Sequence, residues 1–272
     1  MYEFHRNKPR YFDFQYQTAR DYIIPFIEQQ APLRPGMRVL EIGCAEAGVL
    51  KAFLEAGCEC VGVDLADSRI ELAKEFLAED FQAGRVRFFT KDIYDADPVG
   101  DFGHRFDLVI LKDVIEHIHD QARFLERMKE FLAPGGLVFF GFPPWQMPYG
   151  GHQQICDTRL LAALPYYHLL PARAYRFVLE LFEKNPVKVA NLMEIKETGI
   201  SIERFEKIVR QTGYSMLQRR AYLVNPIYRY KFGLKARRQA AWIANIPYLR
   251  NYLTTCMYYL IKKNCYSATE II

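Results

Sequence analysis

Residues 39–50, VLEIGCAEAGVL, constrain the fold of this 272-residue chain more than any other stretch. They read as a buried strand ending near an acidic residue, then a loop of small residues, then the start of a helix. A strand that feeds a Gly/Ala-rich turn lets backbone approach a ligand closely. The helix that follows presents free N–H groups at its first turn. Such a turn is suited to a nucleotide-like cofactor, and two large enzyme classes use it.

The rest of the N-terminal half repeats the same rhythm. A short helix ends at Gly57, and a second β run over 58–63 closes on Asp64. Ile70, Leu72, Ala73, Phe76 and Leu77 recur at helical spacing over 68–81. Residues 86–89 form a third strand, followed by Lys91-Asp92-Ile93. Residues 106–111 are a continuous apolar run, the signature of a parallel strand covered on both faces. A helix over 123–132 is broken by Pro134-Gly135-Gly136 before a fifth strand at 137–142. Strands alternating with helices predict an α/β fold, a doubly wound, Rossmann-like, mostly parallel sheet. Residues 143–198, rich in Pro, Tyr and Leu, read as helical segments joined by turns. The rhythm returns at Ser201, a helix N-cap with Glu203 in the first turn, then a helix over 202–212, Gly213, and a strand over 214–224. The expected organisation is an N-terminal helical cap (1–35), a cofactor-binding core (36–142), a lid insertion (143–198), the last helix and strand of the core (199–225), and a basic, aromatic, helical extension (226–272).

Two cofactors compete for the first loop. Gly43-Cys44-Ala45-Glu46-Ala47-Gly48 aligns as G-x-A-x-x-G, a degenerate dinucleotide fingerprint, and Asp64 stands 21 residues after Gly43, near the spacing of a ribose-binding acid. Taken alone, this supports an NAD(P)-dependent oxidoreductase. Other features point elsewhere: Glu41 on the first strand, Asp92 after the third, FDLVILKDVIEHIHD (106–120) and LAPGGLVFF (132–140). In order and spacing these motifs resemble the class I S-adenosylmethionine-dependent methyltransferases of the small-molecule type, over residues 36–142 and more loosely 200–224. The family's first motif carries three glycines, and here Ala45 and Ala47 replace the second and third; Gly48 is the expected source of flexibility. The resemblance implies S-adenosyl-L-methionine as cofactor. Gly43, Cys44 and Ala45 would line its methionine part, with Glu41 near the ammonium group. Asp64, beside Leu65, would accept from the ribose hydroxyls, and Asp92 from the adenine amino group, with Ile93 on the ring. Lys112 completes the expected cofactor set.

Methyl transfer to a hydroxyl needs alignment and a base for the proton. A neutral histidine suits that task near pH 7. His117, in KDVIEH after the fourth strand, and His152, in YGGHQQIC after the fifth, are the catalytic candidates, His152 the sharper. Gln153 and Gln154 either hydrogen-bond a polar substrate or start a helix that His152 caps. His119 is a surface group. The aromatics Trp145, Tyr149, Tyr166, Tyr167, His168 and Tyr175 favour a small-molecule acceptor over nucleic acid, although most such residues are lid core.

Charge is unevenly placed. Residues 219–263 hold ten of the 36 basic residues and no acidic one; Glu270 is the only acid beyond, leaving a mildly acidic body. From Ile246 onward, apolar groups at Leu249, Tyr252, Leu253, Cys256, Met257, Leu260 and Ile261 follow a helical stripe; the basic tail that carries it would pack on the body or a twin subunit, lie on an anionic membrane, or bind nucleic acid, the first being the favoured expectation. The six cysteines show no metal spacing and read as free thiols in a reducing cytosol, so no metal is expected. Without an apolar signal core or a spanning segment, the expected location is cytoplasmic, at most peripheral to the inner face of a membrane. The reading is thus a methyltransferase acting on a hydroxyl of a small or lipid-linked acceptor, an envelope sugar or a quinone-like ring. Its rivals are the oxidoreductase and a catalytically silent scaffold.

Overall fold

The computed structural model describes residues 7–264. Eight strands form one sheet: β1 (Arg38–Ile42), β2 (Glu59–Asp64), β3 (Val86–Thr90), β4 (Phe106–Lys112), β5 (Leu132–Phe142), β6 (Tyr214–Val224), β7 (Arg237–Arg238) and β8 (Cys256–Lys263). The order across the sheet is β3-β2-β1-β4-β5-β8-β6-β7. The first five strands are mutually parallel, and β8 runs antiparallel to both β5 and β6. The expected doubly wound sheet is therefore present.

Alternate residues of each strand feed opposite cores. Leu40, Ile42, Val109 and Leu111 point to one face, where the Gln121–Phe131 and Ile202–Gln211 helices bring Phe124, Met128, Phe205 and Val209. Val39, Leu108 and Ile110 point to the other, against Leu50 and Phe53 of the Gly48–Glu55 helix and Ile23 and Phe26 of the N-terminal helical region. Ser201 caps its helix as expected, accepting from Arg204 N–H at 3.1 Å.

The C-terminal extension departs from expectation. Three short helices occur, at Tyr228–Phe232, Ala241–Ala244 and Leu249–Leu253, but the apolar stripe then leaves helical geometry. Residues 256–261 are all buried in a central strand, with Met257, Tyr259 and Ile261 on one face and Cys256, Tyr258 and Leu260 on the other. An unbroken apolar run satisfies helical and strand periods alike, and its aromatic, β-branched content matches a doubly covered strand. The basic residue Arg250 is likewise not a surface group. It is 7 % exposed and bonds Glu203 at 2.8 Å and Glu206 at 3.0 Å, while Glu206 also receives Arg219 and the Tyr259 hydroxyl. This buried network fastens the segment before β8 to the last large helix.

Residues 153–198 fold mainly as short helices around a small core of their own, including Leu161, Tyr167, Tyr175, Leu179 and Leu192. Among the described residues no helix is long and apolar enough to cross a membrane. The five described cysteines are free and buried; Cys265, Glu270 and residues 1–6 lie outside the described residues.

Candidate active site

The loop after β1 keeps a glycine-like path without the glycines. Gly43, Ala45 and Ala47 all adopt left-handed backbone, with φ of 70°, 48° and 63°. Each alanine there costs about 1 kcal/mol, because its Cβ crowds the following carbonyl. Gly48 does not supply the missing freedom. It opens the Gly48–Glu55 helix with no positive φ, and its role is spatial: a Cβ there would lie 2.4 Å from the Phe12 carbonyl oxygen. Glycine at 48 lets the Lys8–Thr18 helix press against the loop, and an ion pair from Lys8 to buried Glu46 adds to that contact.

Asp64, at the end of β2, holds the strained loop. One oxygen accepts from Ala45 N–H and the other from Ala66 N–H, both at 2.9 Å. Asp92 is exposed, and one oxygen accepts from Tyr94 N–H at 2.9 Å to close its turn. Gly43, Asp64, Leu65, Asp92, Ile93 and His117 line a cleft of about 490 Å³. Glu41, Gly43, Cys44, Ala45 and Lys112 line a second of about 200 Å³, so all nine expected cofactor residues border these two spaces. Glu41 is 3 % exposed, and its Oε2 has no hydrogen-bond partner among the described residues. Burial pushes its carboxyl well above the usual range, against the pull of nearby Lys112. Lys112 is itself buried and donates to Asp113 at 2.5 Å; Asp113 more than offsets the effect of burial, keeping the ammonium firmly protonated. A cationic ligand group would satisfy the orphaned Glu41 oxygen.

The other side of the site is built from β4 and the segment after β5. Past Lys112 the chain turns through Asp113 (φ 56°) into a single 3₁₀ turn, Ile115–His117. His152, also left-handed (φ 55°), precedes a 3₁₀ turn at Gln153–Ile155, but its side chain makes no capping bond. Instead its ring meets that of His117 edge-on, with centroids 5.1 Å apart, so the two catalytic candidates are brought together. Burial, and secondarily the neighbouring His117, pushes the His152 imidazole down to about 4. Gln153 is no substrate group: it is fully buried and donates to the Pro148 carbonyl at 2.9 Å. His119 is exposed, 3.3 Å from Glu194.

A third cleft, of about 240 Å³, is lined by Tyr11, Glu116, Tyr149, His152, Gln154 and Lys231 among others, and all three clefts meet at Asp113. Burial pushes Lys231 down to about 8. Most of the named aromatics are structural. His168 is fully buried against Trp145, with burial pushing it down to about 4, and the Tyr167 ring packs at a tilt against Tyr175. Glu116, Tyr11 and Lys231 were not foreseen as site residues. Glu116 lies inside a quoted motif and was the one within reach; the others arrive from distant segments with no local signal.

A model of the family described as "Methyltransferase domain" matches residues 14–260. Among curated relatives, the ubiquinone biosynthesis O-methyltransferase of Chelativorans sp. (strain BNC1) is 33 % identical over 104 residues, 38 % of this chain and 39 % of that protein. The enzyme of that name from Coxiella burnetii (strain Dugway 5J108-111) is 29 % identical over 122 residues, 43 % of this chain and 47 % of the relative. The chain's matches thus span less than half the length of these relatives. Among solved structures, Haemonchus contortus phosphoethanolamine N-methyltransferase 2 in complex with S-adenosyl-L-methionine superposes with a TM-score of 0.55 at 16 % identity, covering 90 % of this chain and 53 % of that one. Magnesium protoporphyrin IX methyltransferase from Synechocystis PCC 6803, with bound S-adenosylhomocysteine, gives 0.53 at 15 % identity, covering 92 % and 84 %. Sheet order, loop geometry and the match across 14–260 agree: this chain belongs to the methyltransferase-domain family.

Proposed function

We propose that the chain is an S-adenosylmethionine-dependent O-methyltransferase acting on a hydroxyl of a quinone-like ring. The observation that carries this reading is the junction of three clefts at Asp113, with the unpartnered Glu41 Oε2 on one side, Glu116 and His152 on the other, and His117 on the cofactor cleft with its ring against that of His152. When bound, S-adenosylmethionine supplies an electrophilic methyl group on a sulfonium. Glu41 would hold its ammonium group, and Asp64 and Asp92 its ribose and adenine ends, each retaining lone pairs beyond those used for backbone amides. On the acceptor side, Pro143, Met147, Ile155 and Phe232 offer apolar surface for a ring, with Tyr149 at its edge. His152, neutral at physiological pH, would accept the hydrogen bond of the acceptor hydroxyl and orient its oxygen. The curated relatives named for ubiquinone biosynthesis support a quinone-like acceptor.

Such a ring often carries a lipid tail. Exposed Phe177 and Leu181 on the inserted segment, and Trp242 and Tyr248 in the C-terminal segment, would suit contact with a bilayer or with a second copy. Flotation with vesicles, and mass measurement in solution, tests both. The function itself is tested by calorimetric titration with S-adenosylhomocysteine beside NADH, then by methyl transfer from labelled cofactor to a dihydroxybenzene. S-adenosylhomocysteine binding with transfer supports the proposal. Binding of NADH alone overturns it, and binding without transfer to any hydroxylated ring leaves a silent scaffold as the reading.

A further inference from the structure

Three side chains on the acceptor side form a cluster that an oriented hydroxyl does not explain. Glu116, His117 and His152 each bring one donor atom to a common region, all within 4.8 Å of one another. Glu116 is 4 % exposed, and neither carboxylate oxygen has a hydrogen-bond partner among the described residues. Leaving a buried carboxylate unbonded on both oxygens costs several kcal/mol unless something compensates it. Lys112, a cation whose field reaches Glu116, is already engaged by Asp113. His117 and His152 present their imidazoles to the same region, with ring centroids 5.1 Å apart. Neutral imidazole nitrogen beside carboxylate oxygen is a donor set for a divalent metal ion.

We propose that Glu116, His117 and His152 bind one divalent transition-metal ion, of the zinc type, whose open position takes the acceptor's hydroxyl oxygen. Three protein ligands plus an open position is the usual arrangement of a catalytic zinc site. Two nitrogens and one oxygen fit zinc, iron(II) or cobalt(II), while magnesium and calcium prefer oxygen alone. In a tetrahedral site, ligand atoms lie about 3.3 Å apart, so the cluster would contract by no more than about 1.5 Å on loading. His152 stands in the left-handed region directly after Gly150 and Gly151.

The ion answers a chemical difficulty in the methyltransferase reading, on which its catalytic role rests. Even an ordinary imidazole is a far weaker base than a phenolate, so a histidine alone removes a phenolic proton only with difficulty. Coordination to a divalent cation acidifies the hydroxyl instead, so its proton leaves to water before transfer. The oxygen then forms the new O–CH₃ bond as the S–CH₃ bond breaks, and the electron pair of that bond stays on sulfur. His152 becomes a ligand in this scheme, and the expectation that the chain needs no metal is revised.

The test begins with the whole protein stripped by EDTA and titrated with Zn²⁺, with Co²⁺ as a spectroscopic probe. One ion per chain is expected, with intense Co²⁺ visible bands of low coordination number. Glu116→Gln, His117→Ala and His152→Ala should each weaken binding at least tenfold, while unchanged S-adenosylhomocysteine binding by the Glu116 and His152 variants and an unchanged circular dichroism spectrum of the His117 variant show that they remain folded. No binding by the wild type, or binding that all three variants retain, overturns the site. Zinc bound without any S-adenosylhomocysteine binding would sink the methyltransferase reading and leave the metal site standing. Turnover unaffected by EDTA in a protein that binds zinc would remove the ion from the chemistry.

Discussion

On the β2 side of Asp113, Asp64 gives one carboxylate oxygen to Ala45 N–H and the other to Ala66 N–H; on the side toward the inserted segment, Glu116 gives neither oxygen to any described residue. Both acids are nearly buried, so exposure does not explain the difference. Asp64 holds a loop that three left-handed residues would otherwise relax, and its bonds are needed whether or not a ligand is present. Glu116 sits on a short 3₁₀ turn that needs no such tie, and the residue lines a cleft. One half of the site is thus bonded to itself, while the other is left for something to bind.

The sharpest way to break this contrast is on the unbonded side. His152→Ala should lower turnover by about 10²-fold or more while S-adenosylhomocysteine affinity stays within twofold. Undiminished turnover would make the acceptor half mere packing. On the bonded side, Asp64→Asn turns an acceptor into a donor opposite a backbone N–H. Cofactor affinity should fall roughly tenfold and thermal stability should drop with it; a loss of affinity with no loss of stability would mean Asp64 contacts ligand without bracing the loop.

The third probe uses pH. His168 in the inserted segment is neutral in the fold, its pKa lowered by burial to about 4. Between that value and the unfolded value of about 6.5, only the unfolded chain binds the proton, so stability falls as pH falls. His168→Asn should abolish about 1.5 kcal/mol of the loss between pH 6.5 and 5, read as a shallower pH dependence in urea unfolding. The smallest effect lies in the loop: Ala47→Gly, which removes the left-handed Cβ, should stabilise by up to about 1 kcal/mol. Destabilisation would mean that the greater freedom of glycine in the unfolded chain outweighs relief of the strain.

How much of this was legible depends on how far apart the cooperating residues lie. Glu41, Gly43, Asp64 and Asp92 each end or follow a parallel strand, and the order of those strands puts them on one edge; local pattern was sufficient. The β8 run was misread because Cys256–Leu260 is apolar at every position, and periodicity cannot choose between helix and strand there. Its length, its aromatics and Ile261 were the available signal. Gln153 was misjudged because a buried amide bonded to Pro148 and a substrate-facing amide look alike in sequence. Lys231 and Tyr11 reach the site from positions 220 residues apart, a closeness set by the Lys8–Thr18 helix lying across the body.

The placement of β8 also sets the order in which the molecule can be finished. It is made after the other seven strands yet lies between β5 and β6, so the ribosome must deliver residue 263 before those two strands gain their shared neighbour. Until then β5 presents an open apolar edge, with Phe139, Phe140 and Phe142 beside it, and β6 and β7 have no sheet to join. Such long-range pairing slows folding and leaves a sticky intermediate. The acceptor side of the site is assembled only when that last gap is filled, because Lys231 and Thr255 come from the stretch of chain that leads from β6 into β8.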